Sequence, residues 1–269
     1  MLADRLDTIL CVGDSLTELS WDEKGLGASL AHLYQRKLDV MNRGLSGYNT
    51  DWALACLKKW LPLKDSDAPK TQIMTIWFGA NDATLEGELQ HVPLPRFRDN
   101  LRQIVSLVRD PSSSHYSPET SIILITPPPF HPESWLDERE RRQLPRVHDR
   151  DPENTKRYAE EVKSLGQELG VPVVDAWSAV MREASKPEVG LGKLSSFFTD
   201  GLHLNAQSYA YIVKELKSVV AKNYPEKHWE KLPMLYPYWR DVPAGALGPE
   251  FDQTQKAVAE TAAKGTDPF

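Results

Sequence analysis

The chain has little cysteine: Cys11 and Cys56 are the only two in 269 residues. Two thiols so far apart make no disulfide framework. Both read as small buried apolar residues of a protein kept in a reducing compartment, and the cytoplasm is the expected location. There is no Asn-x-Ser/Thr acceptor and no apolar run near the ~20 residues that span a bilayer. The opening Met1-Leu2-Ala3-Asp4-Arg5-Leu6-Asp7 is charged and passes straight into the first apolar run, so no secretory signal is expected. Positive charge is in deficit, with 32 Lys and Arg against 38 Asp and Glu for a net charge of −6, and no polybasic run offsets it. Nucleic acid and anionic membrane surfaces are therefore poor candidates for the main partner.

What is present is an ordinary globular composition, 41% hydrophobic and 26% charged, on a chain long enough to bury a sizeable core. The run Thr8-Ile9-Leu10-Cys11-Val12 is apolar, rich in branched residues and stopped by Gly13, as in a fully buried strand. Val40–Gly44, Ile73–Gly79, Ile122–Thr126 and Val171–Asp175 behave alike, with helical patterns between them. Such alternation predicts βαβ units and a mainly parallel, five-stranded sheet. Phe97, Leu101, Ile104, Val105 and Val108 share one helix face. Tyr158, Val162, Leu165 and Leu169 do the same before a stop at Gly170, as do Tyr209, Ile212, Val213, Leu216, Val219 and Val220.

Two segments fall outside this repeat. Residues 127–152 open on Pro127-Pro128-Pro129 and carry the mixed charges Asp137-Glu138-Arg139-Glu140-Arg141-Arg142. They read either as a lid or pocket wall or, more simply, as a solvated helix face. Residues 1–223 form the expected main domain. Residues 224–243 form an aromatic arm with Trp229, Tyr236, Tyr238 and Trp239, packed on the domain or on a second copy as a homodimer. Residues 244–269 are an Ala-rich tail, expected as a loose helix or disordered chain.

The strand ends carry the chemistry. Gly13-Asp14-Ser15 follows the first, Asn42-Arg43-Gly44-Leu45-Ser46-Gly47 the second and Gly79-Ala80-Asn81-Asp82 the third, and Thr199-Asp200-Gly201-Leu202-His203 precedes the last helix. Singly each is a weak signal, since Gly-rich turns and Asn-Asp caps are common. Ser15-x-x-Glu18 also fits a capping box with Ser15 as N-cap. Together they supply an acyl-transfer site. A serine hydroxyl needs a base within hydrogen-bond reach, His203 is suited to that task near neutral pH, and Asp200 can fix its tautomer. Donors for the tetrahedral oxyanion are at hand in the Ser15 amide, the Gly47 amide and the Asn81 side chain. Asp14, Asp82 and Asn42 are expected to hold these turns through backbone amides, with Arg43 and Tyr48 supporting the turn at Gly47.

The four blocks Gly13-Asp14-Ser15-Leu16, Asn42-x-Gly44-x-Ser46-Gly47, Gly79-x-Asn81-Asp82 and Asp200-x-x-His203 resemble, in order, those of the SGNH or GDSL hydrolases. The resemblance implies a flavodoxin-like α/β/α sandwich of three layers, Ser15 as nucleophile, Asp200 and His203 completing a triad, and Gly47 and Asn81 in the oxyanion hole. Thr17-Glu18, Trp52-Ala53-Leu54, Val92-Pro93-Leu94-Pro95, Asp99-Asn100-x-Arg102-Gln103 and Trp239-Arg240-Asp241-Val242 are similar to the fungal isoamyl-acetate-hydrolysing esterases of that family. This implies a small-molecule ester substrate, short-chain acetate esters above all, and neither metal nor cofactor. Segment 127–152 and the chain after Val242 lie outside the resemblance.

Other chemistries on the same scaffold are deacetylation of acetylated sugars and thioester hydrolysis. A non-catalytic ligand-binding protein would more readily have lost Ser15 or His203. A metal hydrolase on Asp14, Asp82, Asp200 and His203 is the weakest reading, because His32, His91, His115, His131, His148 and His228 are scattered without ligand spacing.

Overall fold

A computed structural model describes residues 5–186 and 191–245, together with 252, 253, 255 and 257. Five strands, β1 (Thr8–Gly13), β2 (Asp39–Gly44), β3 (Thr71–Trp77), β4 (Ser121–Ile125) and β5 (Val173–Val174), pair in the order β2-β1-β3-β4-β5. Every pairing is parallel, with Ile9 opposite Val40 on one side and Ile73 on the other. The chain runs outward from β1 to β2, returns across β1 to β3, and then continues to β4 and β5. The direction of winding reverses between β1 and β3, where ligands bind in open α/β sheets.

Successive strand residues face opposite sides, and both sides are covered. Ile9, Cys11, Ile73, Trp77, Ile123 and Ile125 pack with α2 (Leu26–Leu33), α7 (Ala176–Ala184) and α8 (Ala206–Asn223). Leu10, Val12, Met74, Ile76, Ile122 and Leu124 pack with α3 (Thr50–Trp60), α4 (Leu94–Arg109) and α6 (Pro152–Leu169). Strands β1, β3 and β4, buried on both faces, have no polar side to alternate with, which is why they read as nearly unbroken apolar runs, whereas edge strand β2 is only half-buried. Each fully buried Leu or Ile contributes about 1.5–3 kcal/mol of transfer free energy.

The helix boundaries follow local chemistry. Helix α6 starts under an Asp151 cap that accepts from Asn154 N, and it stops at Gly170 with φ +59°. Gly166 lets this helix lie on β5, since a Cβ there would sit 2.3 Å from Val173 Cγ2.

Segment 127–152 is not an open loop. It holds helix α5 (Pro132–Arg141), with Trp135, Leu136 and Glu138 buried, so the solvated-face reading holds only for its outer residues. A run of mixed charge does not reveal that one acid turns inward. Cys11 is buried but Cys56 is only half-buried.

The arm lies along α2, α8 and the amino ends of the strands. Tyr34 Oη donates to Lys227 O at 2.9 Å, Tyr224 Oη to Ile122 O at 2.8 Å, and Leu235 N to Arg36 O at 2.8 Å. Trp229 meets Tyr34 edge-on at 6.4 Å, beneath the Lys217 ammonium at 5.0 Å from its ring centre. Most of the expected tail, residues 244–269, falls outside the described residues.

Candidate active site

Strand β1 ends at Gly13, and a four-residue helix α1 (Ser15–Glu18) begins two residues later. Gly13 is needed for this tight exit: a Cβ would stand 2.0 Å from Thr17 Oγ1 and 2.6 Å from Trp77 O. The N-cap is Asp14, whose Oδ1 accepts from Leu16 N at 2.9 Å, and not Ser15 as the capping-box pattern suggests. Glu18 does not fold back either: its Oε2 accepts from Ser46 N at 2.5 Å and ties α1 to the loop after β2. An aspartate one residue earlier takes the cap, leaving the serine hydroxyl free for another partner.

That partner comes from the far end of the chain. Ser15 Oγ lies 2.9 Å from His203 Nε2, and His203 Nδ1 lies 2.6 Å from Asp200 Oδ2. The turn between these residues is shaped by the aspartate itself, whose Oδ1 accepts from Leu202 N at 2.9 Å and from His203 N at 2.7 Å. Burial on its own would raise the Asp200 carboxyl. The hydrogen bond and charge of His203 and the two amides outweigh it and hold the group at about 2. The carboxylate is thus ionised across the neutral range, facing a ring whose other nitrogen faces a hydroxyl.

The neighbouring loops close around Ser15, which is 7% exposed. Gly47 stands at φ +81°, a left-handed conformation suited to glycine, and its carbonyl accepts from Gln90 Nε2 at 2.7 Å. Asn81 is 4% exposed and gives one amide hydrogen to Tyr48 O at 2.9 Å, which leaves a second for another acceptor. Asn42 Nδ2 donates to Glu18 O at 2.9 Å while its Oδ1 accepts from Gly44 N at 2.8 Å. Arg43 Nη1 donates to Asn42 O at 2.8 Å.

Beneath this layer Asp82 Oδ1 accepts from Thr50 N at 2.9 Å and Thr50 Oγ1 at 2.5 Å. Burial pushes Asp82 up to about 6 against those bonds, and pushes Asp14 up to about 7. The Leu16 amide and the Arg150 charge work against the shift at Asp14, and the Asp82 charge adds to it. Arg150 is itself buried, donates to Ala80 O at 3.0 Å and pairs with Asp149.

The four blocks are therefore brought together at one sheet edge. Sequence patterning did not reveal the second layer: Gln90, Thr50, Arg150, and Arg142, whose Nη2 donates to Asp200 Oδ2 at 3.2 Å. These contacts join residues from 32 to 70 positions apart and leave no local signal. Among the described residues, no three His, Cys, Asp or Glu side chains are grouped so as to hold a metal ion, and no helix is long and apolar enough to cross a membrane.

Residues 11–211 match the model of the GDSL-like lipase/acylhydrolase family. The chain is 38% identical over 238 residues to the isoamyl acetate-hydrolyzing esterase 1 homolog of Bos taurus, covering 87% of each chain. It is 34% identical over 245 residues to the isoamyl acetate-hydrolyzing esterase of Saccharomyces cerevisiae, covering 88% of this chain and 95% of the other. Among solved structures, the lipase/acylhydrolase from Enterococcus faecalis superposes with a TM-score of 0.52 at 26% identity, covering 79% of this chain and 96% of that one. An acetylxylan esterase from Geobacillus stearothermophilus gives 0.56 at 20% identity, covering 82% and 96%, a likeness of fold. The chain belongs to the GDSL-like lipase/acylhydrolase family and is a carboxylic ester hydrolase.

Proposed function

We propose that this protein hydrolyses short-chain acetate esters, isoamyl acetate among them, through an acyl-serine intermediate. The observation that carries the reading is the unbroken line from Ser15 Oγ to His203 Nε2 and from His203 Nδ1 to Asp200 Oδ2, at 2.9 and 2.6 Å. The printed names of the bovine and yeast relatives support the substrate.

In this mechanism His203 takes the Ser15 proton as Oγ attacks the ester carbonyl, and Asp200 stabilises the imidazolium that forms. The oxyanion is received by the Ser15 amide, the Gly47 amide and the remaining Asn81 hydrogen. The proton passes from Nε2 to the alcohol oxygen as the carbon–oxygen bond breaks, leaving an acetyl-serine. Water then gives a proton to His203 and its oxygen to the acyl carbon, and the acid is released as Ser15 regains its proton. Asp14, Asp82 and Asn42 hold the turns that carry these groups. The free, unpaired cysteines Cys11 and Cys56 fit a cytoplasmic setting.

The test is hydrolysis of 4-nitrophenyl esters from acetate to octanoate by wild type and Ser15→Ala, with isoamyl acetate as competitor. Activity is expected to peak at acetate, to be inhibited by isoamyl acetate and to vanish in the variant. A peak at longer chains overturns the substrate. Turnover confined to acetylated sugars moves it to that class, and full activity in Ser15→Ala removes the acyl-serine mechanism.

A further inference from the structure

The charge run on α5 reaches inward. Glu138 is only 8% exposed, and its two oxygens take Arg141 Nε and Nη2 at 2.6 Å each and Arg142 Nε at 2.5 Å. The Arg142 guanidinium lies 5.5 Å from the centre of the Trp135 ring, and its Nη2 donates to Asp200 Oδ2 at 3.2 Å. That is the same oxygen that faces His203 Nδ1. One carboxylate oxygen is shared by an imidazole and a guanidinium.

Helix α5 is also fastened to the Asp200–His203 turn by its backbone. His131 N donates to Gly201 O at 2.7 Å. A Cβ on Gly201 would lie 2.4 Å from Trp135 N, and the Trp135 ring meets His203 edge-on at 6.4 Å. The register of α5 therefore fixes where Arg142 sits relative to Asp200.

We propose that Arg142 is a positioning residue of the Ser15–His203–Asp200 line: it orients the Asp200 carboxylate and competes with His203 for its charge. The inference rests on the serine-hydrolase reading above. A guanidinium on Oδ2 satisfies part of the carboxylate's charge, so less of it remains to stabilise an imidazolium. Arg142 and, at longer range, Arg141 act on Asp200 from α5. Glu138 balances both from behind, and Ser15 faces Nε2 from α1.

The His203 ring is titrated by NMR in wild type, Arg142→Gln and Arg142→Lys, alongside kcat/KM against pH. Arg142→Gln is expected to raise the His203 midpoint by about half a pH unit and to carry the acid limb of kcat/KM with it. Arg142→Lys, which keeps the charge, is expected to restore the wild-type midpoint. An unmoved or lowered midpoint in Arg142→Gln, or a loss of rate uniform across pH, overturns the proposal. Should that variant not fold, Glu138→Gln decides: with its counter-charge gone, Arg142 is expected to move the midpoint down, and no movement overturns the proposal. The midpoint is read from the ring and not from turnover. Failure of the esterase reading, seen as activity surviving in Ser15→Ala, is thus distinct from failure of this one.

Discussion

Asp14 is asked to be both a helix cap and a neighbour of a second buried acid. Its Oδ1 caps α1, while its Oδ2 and that of Asp82 are buried with no hydrogen-bond partner among the described residues. Burial first, and the Asp82 charge behind it, raise Asp14 to about 7, well above the ordinary carboxyl near 4. An acid raised on folding binds more protons in the folded chain than in the unfolded one between those two values. Stability contributed this way is greatest at low pH and falls as pH rises from about 4 to about 7. Asp14→Asn keeps an oxygen for the cap and removes the ionisation. Urea unfolding across that range is expected to show a shallower fall in stability for the variant. Equal slopes would mean that the cost of charging Asp14 lies elsewhere.

At the scale of elements, the site depends on α1 lying directly on the end of β2. A Cβ on Gly44 would stand 2.1 Å from Glu18 N and 2.6 Å from Glu18 Cα, both of them backbone atoms that cannot rotate away. Gly44→Ala must therefore push α1, and Ser15 at its start, off the sheet edge. The expected outcome is a loss of more than about tenfold in kcat/KM, with about 1–3 kcal/mol of stability lost to overpacking. Kinetics and thermal unfolding of the variant check both parts.

Elements of this kind were legible in the sequence to different degrees. Strands β1, β3 and β4 stand out because both of their faces are apolar, and α4, α6 and α8 because each shows one apolar stripe. Three of the four polar blocks are legible because a parallel sheet sends every strand's carboxyl end to one edge, and the fourth precedes the last helix. The cap is Asp14, one residue before the Ser15 that the local Ser15-x-x-Glu18 pattern also offers, since Glu18 answers to Ser46, 28 positions on. The sequence offers a helix at α5, but the inward turn of Glu138 is hidden because charge patterning reports solvent exposure on average, and nothing local marks the contact of Arg142 with Asp200, 58 positions away.

For the whole molecule, the aromatic arm and the site occupy opposite edges of the sheet. The arm fills the amino edge through Tyr224, Lys227, Trp229 and Leu235, whereas Ser15, Gly47 and Asn81 follow the carboxyl ends of β1, β2 and β3. Removing a half-buried ring there should act on folding and leave chemistry alone. Trp229→Ala is expected to lower the unfolding free energy by about 1–3 kcal/mol with kcat unchanged, as measured by denaturant titration and steady-state hydrolysis. A fall in kcat at full stability would connect the arm to the site.

The hydroxyl and the imidazole that face each other at 2.9 Å are 188 positions apart in the chain. Between them the chain lays down β2, β3, β4 and β5. A chain cut anywhere between them holds only one half of this pair. The contact thus joins the end of the first strand to the turn that precedes α8, and it closes only across a sheet of all five strands.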